Sequence, residues 1–194
     1  MNLGHHTELI LASTSSARRE LLTTLGIPFR AEAPNVDEVY ASGTTPKDAA
    51  VRLAERKARA VALRFPTALV IGSDQIVDLD GEALGKPENL DAARSQLSRM
   101  LGRKHQLATG LCVMGPGFFA SELEVAELEL FSLSPAELDA YLATNEWQGC
   151  AGSYRIEGRG QGLFKDVRGD RTGIQGLPMA RVVRLLHEAG VQFF

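Results

Sequence analysis

The chain has 194 residues, 44% of them apolar and 23% charged, with a formal net charge of −3. That length fits one domain with a sizeable core or one domain of two lobes, and the composition argues against disorder. The charge leaves no electrostatic footprint for nonspecific nucleic-acid binding, and no apolar run approaches the ~20 residues that span a bilayer. Residues 1–7 lack a basic segment followed by an apolar one, so no signal peptide is read there. A cytoplasmic protein with neither nucleic-acid nor membrane partners is the expectation. His5-His6 is too short for a metal tract, and Cys112 and Cys150 make neither a disulfide framework nor a zinc pattern.

Glu8 to Ala12 reads as a short buried strand. Ser13-Thr14-Ser15-Ser16 then turns the chain, with Ser15 or Ser16 capping a helix that runs to about Leu25 and stops at Gly26. Arg18 and Arg19 fall in the first turn of that helix, facing the positive end of its dipole at a cost of roughly 0.3–1 kcal/mol each. A bound anion would reverse the penalty; solvation of both side chains is the alternative. Ile27 to Ala31 looks like a second strand, leading into the acidic segment around Asp37 and Glu38. Pro46 opens a long helix to about Arg64. Lys57 lies on its apolar face, four residues from Leu53 and from Val61, so it either snorkels to water or reaches into a cleft.

The unbroken run Ala68 to Ser73 reads as a strand buried on both faces, and Asp74-Gln75 follows directly. The strand resumes through Ile76 to Leu79 and turns at Asp80-Gly81, a hairpin dipeptide. A carboxylate at the end of a central strand must be paired, hydrogen-bonded or metal-bound, which makes Asp74 the best single functional candidate. Gly81 to Lys86 has neither the spacing nor the Ser/Thr of a P-loop, but Lys86 remains a candidate point charge for phosphate. A helix over about Asn89 to Leu101 is followed by strands His105 to Met114 and Ser121 to Phe131, joined at Gly115-Pro116-Gly117. In the second strand the apolar positions change parity, which suggests a bulge near Ala126 or burial of both faces. Ser134-Pro135-Ala136-Glu137 is a capping box opening a helix to about Ala143. The glycine-rich stretch Gly149 to Gly162 reads as either a close-approach ligand loop or a plain loop, and a last helix spans Pro178 to about Ala189.

Several of these stretches together resemble the Maf-like nucleoside triphosphate pyrophosphatases. The matching pieces are Leu9 to Ser15 with Arg18-Arg19, Val36-Asp37-Glu38, Lys57 within Ala54 to Ala58, Gly72-Ser73-Asp74-Gln75, Leu84 to Pro87, Cys150 to Ser153, and Gly176-Leu177-Pro178. They follow the family order along nearly the whole chain. The resemblance implies a single domain over residues 1–194 with an elongated α/β fold, a mixed sheet flanked by helices, and two lobes with a central cleft. It implies hydrolysis of a nucleoside triphosphate to monophosphate and pyrophosphate with a divalent metal, in a family that is usually cytoplasmic and often a homodimer. Within it, Ser73-Asp74-Gln75 and Glu157 look most like the 7-methyl-GTP branch, since the pyrimidine branch carries Ala-Asp-Thr and glutamine there. The chain departs from that branch at Ala17, where the branch has tryptophan. The loss removes an aromatic partner for a cationic base, an interaction of roughly 0.5–2 kcal/mol.

On this resemblance Asp37, Glu38 and Asp74 would ligate Mg²⁺ or Mn²⁺, and Asp74 would serve as general base. Ser13, Ser15, Arg18, Arg19, Lys57 and Lys86 would hold the phosphates. Ala17, Gln75 and Glu157 would select the base, Glu157 accepting from the N1–H and N2 amine of guanine. The rival readings are a pyrophosphatase for dTTP, UTP or other modified nucleotides, and a noncatalytic nucleotide-binding regulator of cell division.

Overall fold

Seven strands form one mixed sheet in the computed structural model, which describes residues 8–194. The readings made for residues 1–7 and His5-His6 lie outside the described residues. The strands are β1 Leu9–Leu11, β2 Arg30–Ala31, β3 Leu69–Leu79, β4 Glu82–Leu84, β5 Lys104–Gly115, β6 Phe118–Leu130 and β7 Phe164–Arg168. Their order is β2-β1-β3-β5-β6-β7, with β4 paired to β3. β1 runs parallel to β2 and β3, whereas the β3–β4 and β6–β7 pairs are antiparallel. The helices are α1 Ser16–Thr23, α2 Pro46–Ala62, α3 Leu90–Met100, α4 Pro135–Leu142, α5 Arg171–Ile174 and α6 Met179–Glu188. An α/β class with a mixed sheet is therefore what the chain adopts.

The chain divides into two compact units. The first comprises the chain up to Gln75, Thr109–Glu124 and Asp170–Phe194; the second comprises Ile76–Ala108 and Val125–Gly169. In the first unit the strands alternate between two cores, as a sheet covered on both faces must. Leu9, Leu11, Leu69, Ile71, Leu111 and Val113 pack with Leu22 of α1 and Val182, Leu185 and Leu186 of α6. Ile10, Val70 and Cys112 point the other way and pack with Ala54, Ala58 and Val61 of α2.

That second face sets the position of α2. A Cβ at Gly72 would sit 2.3 Å from the Ala54 carbonyl oxygen, and one at Gly110 would sit 2.2 Å from the Ala50 carbonyl oxygen. Ala50, Ala54 and Ala58 recur every four residues, so a stripe of methyl groups meets two glycines and lets the helix backbone lie against the strands. In the second unit, the turn at Ala151–Ser153 packs on α3, with Gly152 N–H donating to the Gly85 carbonyl at 3.3 Å and Ser153 Oγ to Gln96 Oε1 at 2.6 Å. Gly152 sits at φ +71°, where its missing Cβ would also press on Val77.

The structure adds detail to three local expectations. Ile27 to Ala31 pairs only at Arg30–Ala31. Against β7, β6 is irregular between Glu129 and Leu130, and from Ala126 onward alternate residues of β6 are buried. The Gly149 to Gly162 stretch contains two short 3₁₀ turns, Ala151–Ser153 and Arg159–Leu163. The Asp80-Gly81 hairpin forms with both residues at positive φ, 54° and 86°, as its primed turn requires.

Gly72→Ala should lower stability by about 1–3 kcal/mol, because helix and strand must separate to admit one methyl group. Thermal denaturation checks this, and an unchanged melting temperature would mean that α2 is not held by this contact.

Candidate functional site

β3 runs without interruption from Leu69 to Leu79, so Asp74 sits in the middle of a strand and not at the end of one. Its side chain is buried, and a carboxylate there needs a partner. The partner is Lys57, whose Nζ donates to Asp74 Oδ1 and, at 2.6 Å, to Glu38 Oε1. The Lys57 side chain is 7% exposed and that of Asp74 10%, against 54% for Glu38. Lys57 therefore does not snorkel; its ammonium lies between a buried carboxylate and one at the solvent edge. The alanine–glycine seam accounts for this reach, because it brings the α2 backbone close to β3.

The electrostatics of Asp74 follow from that burial. Desolvation raises its pKa above the ordinary 3.8, outweighing the opposing pull of Lys57 and then of Arg18, while Glu38 adds to the rise. Desolvation likewise lowers the pKa of Arg18, against the fields of Asp74 and Glu38; a guanidinium nevertheless remains charged.

The serine–arginine turn lies in the same unit. Ser15 is the N-cap of α1, its Oγ accepting from Arg18 N–H at 3.4 Å, and Ser13 Oγ accepts from Ser15 N–H at 3.2 Å. Arg18 is half-buried, and its Nε donates to the Gly176 carbonyl at 2.8 Å. One of its five N–H donors is thus committed, and its Nη groups make no hydrogen bond among the described residues. The solvated alternative fits Arg19, which is exposed, and not Arg18. Ala17 is half-buried on the same turn.

Gly176 belongs to a segment that four side chains pin by its carbonyls. Ser73 Oγ lies 2.8 Å from Gly110 O and 2.9 Å from Gly176 O, so its one hydrogen is shared between them. Gln75 Nε2 donates to Thr109 Oγ1, Gly173 O and Ile174 O at 2.9, 2.9 and 3.1 Å, and Thr109 Oγ1 donates to Gly173 O at 3.0 Å. Gln75, expected at the base of a nucleotide, thus has its Nε2 engaged by backbone and Thr109. Ser73 and Thr109 were not singled out in the sequence as individual functional candidates. Their signal was a hydroxyl set in an otherwise apolar buried strand, which must find an acceptor.

Lys86 and Glu157 belong to the second unit, and both are exposed. Each acts electrostatically on Cys150, whose thiol pKa is raised chiefly by desolvation. The loop carrying Glu157 is shaped by Glu146: its Oε2 accepts from Gly160 N–H at 3.3 Å and would lie 2.5 Å from a Cβ at Gly158.

The three carboxylates read as metal ligands are not gathered as a set. Asp37 is exposed, and among the described residues no three His, Cys, Asp or Glu side chains converge on one point. Asp74 and Glu38 do converge, on one ammonium. Two carboxylates suit Mg²⁺, which keeps waters and binds through one or two carboxylates together with substrate phosphates.

The sequence profile of the Maf-like protein family matches residues 8–189. A 7-methyl-GTP pyrophosphatase from Xanthomonas campestris pv. campestris (strain 8004) is 50% identical over 184 residues, which cover 94% of this chain and 96% of that one. A 7-methyl-GTP pyrophosphatase from Albidiferax ferrireducens is 45% identical, covering 95% and 94%. A dTTP/UTP pyrophosphatase from Symbiobacterium thermophilum is 40% identical, covering 96% of each chain.

Proposed function

The chain belongs to the Maf-like protein family, and from that premise we propose that it hydrolyses a nucleoside triphosphate, 7-methyl-GTP above others, to the monophosphate and pyrophosphate. The observation that carries the reading is Asp74, a buried carboxylate with a raised pKa, joined to Glu38 through Lys57 and lying in the field of Arg18. A protein that only binds a polyphosphate gains nothing from placing a carboxylate beside it. A general base, by contrast, benefits from a pKa lifted toward the working pH. The choice of base rests on the names of the relatives at 50% and 45% identity.

In this reading ionised Asp74 takes a proton from the attacking water. The water oxygen bonds to the α-phosphorus as the α–β bridging bond breaks, and that electron pair leaves on pyrophosphate. Lys57 and the Arg18 Nη donors offset the charge developing there. Ser13 and Ser15 keep their O–H hydrogens for phosphate oxygens, since both hydroxyl oxygens accept from backbone N–H groups of the turn. Asp74 and Glu38 would hold Mg²⁺ or Mn²⁺, which would neutralise polyphosphate charge.

Pyrophosphate release from 7-methyl-GTP, GTP, UTP and dTTP, with and without Mg²⁺ or Mn²⁺, tests the proposal. Fastest turnover with 7-methyl-GTP is expected, and Asp74→Asn should cost at least roughly 10²-fold in kcat while nucleotide binding survives. Faster release from dTTP or UTP would transfer the substrate to the class named for the 40% identical relative, and silence across the panel would contradict hydrolysis. The Asp74 carboxyl itself gives a second check. Desolvation raises its pKa, so in protein free of metal and nucleotide its titration, followed by carboxyl-carbon NMR, should have a midpoint above 3.8. A midpoint at or below that value would contradict the burial argument.

A further inference from the structure

Arg56 stands one residue before Lys57 on α2 and is exposed. Successive helical residues point about 100° apart, so it cannot enter the buried cluster that Lys57 occupies. It reaches the loop that carries Glu38 instead. One Arg56 nitrogen, Nη1, donates to the Asp37 carbonyl at 2.7 Å and to the Val39 carbonyl at 2.8 Å. These are the residues on either side of Glu38. Residues 32–41 form no helix or strand, and Asp37 and Val39 are both exposed, Val39 at 72%. Arg64, just past the C-terminal end of α2, ties the start of the same segment through the Ala33 carbonyl at 2.6 Å.

We infer that Arg56 is a positioning residue: its grip on the carbonyls of Asp37 and Val39 fixes Glu38 against Lys57, and thereby fixes the ammonium beside Asp74. The inference rests on the pyrophosphatase reading for its effect on turnover, but the latch itself exists without substrate. A guanidinium suits the task because its charge strengthens both bonds, and charged donors to backbone carbonyls outlast neutral ones. Ordering each residue of a loop with no regular structure carries an entropic cost, which two charged hydrogen bonds to the backbone on either side of Glu38 help to offset.

Two measurements test this. The first uses nucleotide-free protein and a glutamyl endopeptidase, which cleaves after Glu38 only when the loop opens. Arg56→Ala should be cut there several-fold faster than wild type at an unchanged melting temperature. Arg56→Lys, which keeps a charged donor, should fall between the two; equal cleavage rates would overturn the latch. The second is a double-mutant cycle with Glu38→Gln. Arg56→Ala should lower kcat roughly tenfold with KM nearly unchanged, and should cost nothing further in the Glu38→Gln background, because both changes remove the same constraint. Additive losses, or a wild-type kcat in Arg56→Ala, would refute the inference. If wild type turned over no nucleotide, the pyrophosphatase reading would fall and the cleavage rates alone would decide the latch.

Discussion

The Lys57 ammonium, held between Asp74 and Glu38, is the contact on which the rest of the first unit depends. It is an expensive contact. Burying a carboxylate and an ammonium removes both from water, and at Asp74 desolvation outweighs the pull of Lys57, so its pKa is raised. Hydrophobic side chains of similar volume would fill the same space at less cost. The pair is better explained as chemistry than as stabilisation.

Much of the surrounding structure can be understood as keeping that pair in place. Glycines at 72 and 110 let α2 approach the sheet closely enough for a lysine to span the gap. The residues flanking Asp74 on β3, Ser73 and Gln75, both turn to backbone carbonyls of the segment 173–176, which Arg18 also holds. The serine–arginine turn, the strand carrying the buried carboxylate and the 173–176 segment are thus cross-tied by hydrogen bonds. Such cross-ties limit the reorganisation needed when a charged substrate arrives, which is where preorganised sites gain over water.

The sequence disclosed the elements more readily than the contacts. A serine cap at Ser15 or Ser16, the Ser134–Glu137 capping box and the Asp80-Gly81 hairpin were legible because each is a local signal, complete within four residues. Lys57 and Asp74 were legible as anomalies, charges set among apolar residues, although which of them neutralised the other was not. β7 and α5 were missed: four of the five β7 residues are polar or exposed and α5 is a single turn, so neither has a periodicity to detect. Gln75 was read by resemblance as a base selector; that its Nε2 also holds backbone some hundred residues away in sequence is a pairing no local pattern can reveal. Arg56 was invisible for the opposite reason, since a lone arginine on an exposed helical face looks like any solvated charge.

The central claim is that Asp74 directs water at the α-phosphorus of a nucleoside triphosphate. Turnover in oxygen-18 water with mass analysis of both products tests it most directly. The account predicts the heavy oxygen in the nucleoside monophosphate and none in pyrophosphate. Label in the pyrophosphate would place the attack on another phosphorus and contradict it.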